Sequence, residues 1–372
     1  MQQTLLATSS LHNNIGLCDP LDAADSLRRL PELNRQHLPI KIISQLARHI
    51  PNLAQVESWD YISAVAAMRD IGMFLGSIKR FRIEPEIVLP ELTPVLLRLG
   101  EKTDLPPRDN AIHYTIWNGH GADLRTYTHH DQERVLIEST RSAYIALEKA
   151  SKQLILLYDV SITDPYFGEL CSQINSSMGQ LGKTICQVFR DVGAEFFVTE
   201  IRPFFEPIMV DGKEHRGPGA VELPLFLIDH MLWSSNSNDA EYVSFKEDYL
   251  TTVLPEARTI YKKLSGQPSM LDRIIQELAR QTSTSNGAGK IKTSGNNSQL
   301  INNNLNELKR LFGRLISFRT PHLKLAQQAY NLTPDAQFDH GSGGYTPEIV
   351  GRVLMLTQAA RNRLSVAQAP YR

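Results

Sequence analysis

The sequence is poor in cysteine. Only three cysteines occur in 372 residues, Cys18, Cys171 and Cys186, and no two of them form a CxxC pair. A disulfide framework and a cysteine-rich metal site are therefore excluded as the basis of the fold. This usage of cysteine is typical of a reducing compartment, and we expect a cytoplasmic protein.

Neither sign of charge is in excess, because 39 Lys and Arg residues balance 40 Asp and Glu residues. Such a balance does not favour nucleic acid or an anionic membrane as a partner. The chain also lacks an uninterrupted run of 18 apolar residues and a basic start followed by an apolar run, so we expect neither a membrane span nor a secretory signal. Its 42% hydrophobic and 21% charged residues indicate a soluble globular protein.

Several motifs that carry chemistry are absent or incomplete. The stretch GQLGKT at 179–184 lacks the first glycine of a phosphate-binding loop, since position 177 is serine. The pairs His129–His130 and His113/His120 have no partners at the spacing of metal ligands. No GxSxG motif is present, so a hydrolase nucleophile of that kind is not expected.

Helical periodicity dominates what remains, and it predicts a mainly α protein with a bundle large enough to hold a ligand. One region, 195–215, reads as strands, with Asp211-Gly212 closing a small hairpin. The residues Thr163-Asp164-Pro165 are a helix start signal. Helices are predicted at 39–50, 58–81, 88–102, 131–159, 166–193, 219–234, 239–265, 300–331 and 347–365.

The helix predicted at 300–331 places a histidine on its apolar face. Steps of three and four residues connect Ile301, Leu305, Leu308, Phe312, Leu315, Arg319, His322, Ala326 and Ala329, with Tyr330 beside the last. This spacing keeps the side chains on one face, and Pro321 interrupts the backbone bonding next to the histidine. His322 is therefore either a satisfied core residue or a ligand of something buried.

Two other segments bear on this site. Residues 282–299 are rich in Ser, Thr, Asn and Gly, and we expect a flexible loop that is either a connector or a flap over a pocket. Gly341, Gly343 and Gly344 allow the main chain to approach a ligand closely, and Ser342 adds a hydroxyl suited to a carboxylate. A histidine on an apolar face before such a loop suits a buried planar cofactor beside a small substrate.

Five stretches of the sequence together resemble one known family. They are CDPLDA at 18–23, AVAAMRDIGMFLGSIKR at 64–80, IRPFFEPIMVDGKEHRGPGAVELPLFLIDHMLW at 201–233, SFRTPHLKLAQQAY at 317–330 and GSGGYTP at 341–347. With them, the sequence resembles the monodechloroaminopyrrolnitrin synthase family, within the haem-dependent tryptophan and indoleamine dioxygenase superfamily, and the collinear similarity extends from about residue 18 to 362. The resemblance implies a two-domain helical haem-binding fold like that of indoleamine 2,3-dioxygenase, with domains at 1–130 and 131–372.

The resemblance also implies roles for individual residues. His322 matches the axial ligand of a haem b, one per chain, and O2 would be the co-substrate. Tyr330 and Ser342 match hydroxyl-bearing residues near the substrate, with Gly343 beside them. Arg319, one turn before His322, would pair with a haem propionate or form an ordinary salt bridge.

The substrate implied is tryptophan or a chlorotryptophan, with an unidentified electron donor. Arg141, Arg202 and Arg216 could each meet its carboxylate, and nothing in the sequence selects among them.

Four functions are compatible with these features. The first is an oxidative rearrangement of the indole to an aminophenylpyrrole, in secondary metabolism of the pyrrolnitrin type. The second is a dioxygenase that cleaves the indole ring, the third a haem-binding protein without turnover, and the fourth a helical scaffold without a cofactor. Product mass distinguishes the first two, because the rearrangement loses the carboxyl carbon whereas ring cleavage retains both oxygen atoms.

Overall fold

The computed structural model describes residues 8–219, 224–286, 295–332 and 345–371, and helices dominate them. The mainly α prediction is confirmed. The α-helices are α1 Thr8–Leu17, α2 Ala24–Arg35, α3 Pro39–His49, α4 Leu53–Ser58, α5 Tyr61–Lys79, α6 Pro85–Val88, α7 Leu92–Thr103, α8 Ala111–Tyr114, α9 Asp131–Leu157, α10 Pro165–Gln187, α11 Ala194–Phe196, α12 Leu225–Asp229, α13 Ala240–Leu250, α14 Pro255–Leu264, α15 Met270–Asn286, α16 Gly295–Asn331 and α17 Pro347–Gln368.

Three short π-helical segments and one hairpin complete the part of the fold that concerns the site. The π segments are Val188–Val192, Phe197–Ile201 and His230–Ser234. Strands β1 (Ile208–Val210) and β2 (Lys213–His215) pair antiparallel, with Ile208 opposite His215. Asp211 and Gly212 both have positive φ, 52° and 69°, as a two-residue hairpin turn requires.

Local start signals in the sequence correspond to real helix ends. The Asp164 side chain accepts a hydrogen bond from the Tyr166 amide at 2.9 Å, and Pro165 begins α10. Proline suits this position because the first helical N–H has no partner within the helix. The predicted start of α10 is therefore confirmed.

The predicted loop at 282–299 is wrong at both ends. Helix α15 extends to Asn286 and α16 begins at Gly295, whereas residues 287–294 lie outside the described residues. Extending a formed helix fixes one residue for each added hydrogen bond, so a polar tract with weak propensity can continue a helix that tertiary packing already holds. The buried side chains of Leu271, Ile274 and Leu278 anchor α15 in this way.

Two large hydrophobic cores occupy different parts of the chain. One surrounds α5 and is built mostly from residues 21–137, but it also takes in Ile201, Phe204 and Val210. The other is built from residues 143–364, chiefly on α9, α10, α16 and α17. The segment around the hairpin thus packs with the first core, and the two-domain division at residue 130 stays a prediction.

Helix α5 is long and apolar enough to cross a membrane by composition alone, but 83% of its most apolar window is buried inside the protein. This degree of burial is typical of a core helix. Gly72 and Gly76 allow the close packing, since a Cβ at Gly72 would lie 2.2 Å from Cγ of Asp109.

Helix α16 connects the second core to a cavity. The side chains of Ile301, Leu305, Leu308, Phe312 and Leu315 are at most 1% exposed, as the predicted apolar face requires. The same face reaches the cavity at Arg319 and His322 and continues along it to Tyr330. Pro321 lies inside α16, which nevertheless continues to Asn331.

Candidate active site

A cavity of about 380 Å³ lies among α9, α10, α12, α13, α16 and α17. We call it the His322 cavity. Its volume is in the range of small-molecule and cofactor sites, and its wall is mainly apolar with a few polar groups, as such sites require. The apolar wall includes Leu136, Ala143, Ile185, Val188, Val192, Phe197, Leu225, Phe226, Phe245, Leu325, Ile349, Val350 and Val353.

The π-helical segments lie along this wall. Val188 and Val192 belong to the first of them and Phe197 to the second, and all three side chains line the cavity. The third begins directly after Asp229, which also lines it. Single π turns are rare in proteins and are frequent at functional sites.

His322 presents a neutral imidazole to the cavity. Its ring is half-buried and stacks on Phe318, with centroids 5.5 Å apart and planes 22° from parallel. In the described part of the chain, neither ring nitrogen has a hydrogen-bond partner. Burial, and secondarily the charge of Arg319, lowers the pKa of His322 to about 4. At neutral pH the ring therefore keeps a lone pair for a metal ion.

Arg319 forms the salt bridge that the sequence left open as one of two alternatives. Its Nη2 donates to Oδ2 of Asp229, and its Nη1 donates to the hydroxyl of Thr357 at 2.5 Å. Trp233 Nε1 donates to the other oxygen of Asp229 at 3.0 Å. Both charged groups are 3% exposed, and burial raises the pKa of Asp229 although Arg319 and Trp233 oppose the shift. The guanidinium is thus fixed one turn before His322.

The predicted substrate residues fall partly outside the described chain. Tyr330 lies on the last turns of α16, lines the cavity and is 42% exposed. Ser342 and Gly343, like Gly341 and Gly344, lie outside the described residues. The chain resumes at Tyr345, which lines the same cavity.

The family model of monodechloroaminopyrrolnitrin synthase PrnB matches residues 15–369, nearly the whole chain. The chain belongs to this family. The PrnB family has the fold of indoleamine 2,3-dioxygenase, which agrees with the helical architecture found here. The resemblance inferred from the sequence is confirmed.

The match also fixes the activity. PrnB enzymes are haem-dependent, use O2 and act on a tryptophan derivative in pyrrolnitrin biosynthesis. The chain is therefore an oxidoreductase that carries out the oxidative rearrangement of a chlorotryptophan. Of the four functions that the sequence allowed, the first is confirmed.

The structure distinguishes among the three arginines that the sequence left as equal candidates for the substrate carboxylate. Arg202 is on the wall of the His322 cavity and is 4% exposed, and burial lowers its pKa. Arg216 donates to the hydroxyl of Tyr345, so it lies behind the wall. Arg141 is held by the carbonyl oxygens of Thr115, Asn118 and Gly119.

Sequence reasoning missed two residues of this site. Asp229 had a detectable signal, because a carboxylate inside the apolar run LFLIDHMLW needs a buried partner. Tyr345 directly follows the glycine-rich stretch, but only the fold shows that its ring reaches the aromatic side chains of α13.

Proposed function

We propose that His322 is the only protein ligand of a haem b, bound once per chain in the His322 cavity, with O2 as co-substrate and a separate electron donor. The observation that carries this proposal is a neutral imidazole, without a hydrogen-bond partner among the described residues, facing a mainly apolar cavity. With His322 as its one protein ligand, a haem bound here would be able to react with oxygen. When bound, the haem supplies the oxidative chemistry, and the protein supplies position and polarity.

Arg319 is proposed as the partner of a haem propionate, held in place by Asp229 and Thr357. Each terminal nitrogen of a guanidinium carries two N–H groups, so the two bonds observed leave further donors on the same fork. The salt bridge and the propionate contact are therefore compatible, and Asp229 offsets the buried charge before haem binds.

For the substrate, we propose that Arg202 meets the carboxylate of the chlorotryptophan and that Tyr330, Ser342 and Gly343 provide polar contacts. Arg202 is the choice because it is the one of the three arginines on the cavity wall, and a buried guanidinium binds a carboxylate strongly. The substrate is a small molecule, and the three free cysteines support a cytoplasmic location.

The haem proposal is tested by absorption spectroscopy of the purified protein. We expect a Soret band in the wild type and its loss or marked shift in His322→Ala. In His322→Gly, added imidazole should restore the band, since it can occupy the position of the deleted ring. Wild-type haem occupancy and an unchanged spectrum in His322→Ala would contradict the assignment, and loss of secondary structure would be detected separately by circular dichroism.

A further inference from the structure

Tyr345 is held against the wall of the His322 cavity by Arg216. The Arg216 Nη1 donates to the Tyr345 hydroxyl at 2.8 Å, and the guanidinium carbon lies 4.8 Å from the centre of the tyrosine ring. The Arg216 Nη2 lies 3.7 Å from a carboxylate oxygen of Asp248, on α13. The Arg216 guanidinium therefore connects the segment after β2 with Tyr345, which precedes α17, and with Asp248 on α13.

The ring of Tyr345 completes an aromatic wall. It meets Phe245 edge to face, with centroids 4.6 Å apart and planes at 78°, and it lies 5.3 Å from the ring of Tyr249. Phe226 stacks on Tyr249 at 6.0 Å. All four side chains line the His322 cavity. Offset and edge-to-face arrangements of this kind present ring faces and edges that complement a further planar ring.

The backbone around Arg216 is held by Arg108, in the segment between α7 and α8. Arg108 is fully buried and its Nη1 donates to the carbonyl oxygens of Glu206 and His215, the latter at 3.1 Å. Gly217 is required beside it, because a Cβ there would lie 2.6 Å from Nη2 of Arg108. The backbone on both sides of Arg216 is therefore fixed, and with it the position from which the guanidinium reaches Tyr345.

We propose that Tyr345, Phe245 and Tyr249 form an aromatic subsite that takes the planar indole of the substrate, and that Tyr345 is a specificity-determining residue positioned by Arg216. This rests on the proposed function, which places the substrate in the His322 cavity. The Tyr345 hydroxyl accepts a hydrogen bond from Arg216, and this bond fixes the orientation of the ring. Burial raises the pKa of Tyr345, so the hydroxyl stays protonated. The ring binds, and the hydroxyl serves to fix the ring.

The test measures the Kd of chlorotryptophan from its perturbation of the haem spectrum of the holoenzyme. Tyr345→Leu removes the ring and should raise the Kd by about tenfold. Tyr345→Phe and Arg216→Met should each raise it a few-fold, and the double variant should show no further increase, because both remove the same contact. The Soret intensity should stay at the wild-type value, because none of these residues is proposed to touch the haem iron.

The matched control is a second arginine–tyrosine pair. The guanidinium carbon of Arg273 lies 3.9 Å from the ring centre of Tyr158, which donates to the carbonyl of Pro268. Tyr158→Phe and Arg273→Met should leave the Kd unchanged.

A Kd within twofold of wild type in Tyr345→Leu, or additive effects in the double variant, would overturn the subsite alone. A wild-type protein that neither binds haem nor responds to chlorotryptophan would overturn the proposed function together with it. If Tyr345→Leu does not fold, the Kd values of Arg216→Met, Tyr345→Phe and the double variant still test the proposed subsite.

Discussion

Tyr330 lines the His322 cavity near the end of α16, eight residues after the proposed haem ligand. Tyr330→Phe and Ser342→Ala should keep the Soret band, because neither residue is proposed to touch iron. A lost hydrogen bond to a charged substrate group costs about 1.5–3 kcal/mol, which corresponds to roughly ten- to a hundredfold in binding or turnover. Steady-state kinetics should show Ser342→Ala mainly in KM, and Tyr330→Phe also in kcat if its proton takes part.

Tyr166→Phe is the control for this pair, since Tyr166 is 47% exposed on α10, similar to Tyr330. Loss of haem in either site variant would indicate a structural role instead. Normal turnover by both variants would show that these two residues do not carry the substrate contacts, even though the family membership stands.

At the residue scale the sequence could predict on which face of α16 a side chain lies, but not which side chain it contacts. The spacing of three and four residues places His322 on the face of Leu315 and Phe312, and that placement is confirmed. The partner of Arg319 is Asp229, 90 positions earlier in the chain, and no local pattern connects them. Ser342 and Gly343 stay predictions.

At the scale of elements, the pair of Asp229 and Arg319 joins α12, α16 and α17 at the wall of the cavity. Asp229→Asn should lower the free energy of unfolding of the haem-free protein by about 3–5 kcal/mol, because it leaves a buried guanidinium without its carboxylate. Urea denaturation measures this directly. Replacing both partners, as in Asp229→Asn with Arg319→Met, should recover part of the loss, since no buried charge then remains.

Asp25→Asn provides the comparison for an exposed pair. Asp25 and Arg28 form an ion pair on the surface of α2, with side chains 83% and 57% exposed. Such pairs contribute about 1 kcal/mol at most. If Asp229→Asn cost no more than Asp25→Asn, the buried pair would not hold this junction together.

Some helices were predicted and others were missed, depending on how strongly apolar residues repeat at helical spacing in their sequence. Helices α5, α9, α10, α16 and α17 carry long apolar repeats, and the predicted ranges overlap them closely. Helix α2 was missed because it carries Pro31 and several charged residues, and α15 because a polar tract follows its buried positions. In both, packing against other elements compensates for weak local signals.

For the molecule as a whole, the buried histidines determine how stability responds to acid. Burial, and then the charges of Arg69 and Lys246 respectively, lowers the pKa of His113 and of His230 to about 3, from 6.5 for an ordinary histidine. His230 Nε2 donates to the carbonyl of Tyr261 at 3.0 Å, and its Nδ1 has no hydrogen-bond partner among the described residues. A proton on Nδ1 would therefore be a buried donor without an acceptor.

The direction of the pH dependence of stability follows from proton uptake by the folded and unfolded chains. Between about pH 6.5 and 3 the unfolded chain binds a proton at each of these histidines and the folded chain does not, so stability present above pH 6.5 is lost as the pH falls. The slope is about 1.4 kcal/mol per pH unit for each histidine. His322, whose pKa burial lowers to about 4, acts in the same direction in the haem-free protein. Asp109 and Asp229 act in the opposite direction, because burial raises the pKa of both, that of Asp109 to about 6, and the folded state takes up their protons first.

We therefore expect the free energy of unfolding of the haem-free protein to fall on acidification from about pH 7 to about pH 5. His230→Phe should remove about 2 kcal/mol of that fall, because the histidine contributes about 1.4 kcal/mol per pH unit only below about pH 6.5. Phenylalanine retains a ring against Tyr261, on which His230 stacks with ring centroids 3.8 Å apart. The variant also loses the hydrogen bond to the Tyr261 carbonyl, and this loss changes stability by the same amount at both pH values. Urea denaturation at the two pH values gives the slope, with exposed His130→Phe as the matched control. An identical slope in wild type and His230→Phe would mean that His230 gains its proton in the folded protein as easily as in the unfolded chain, and its burial would then not govern the acid response.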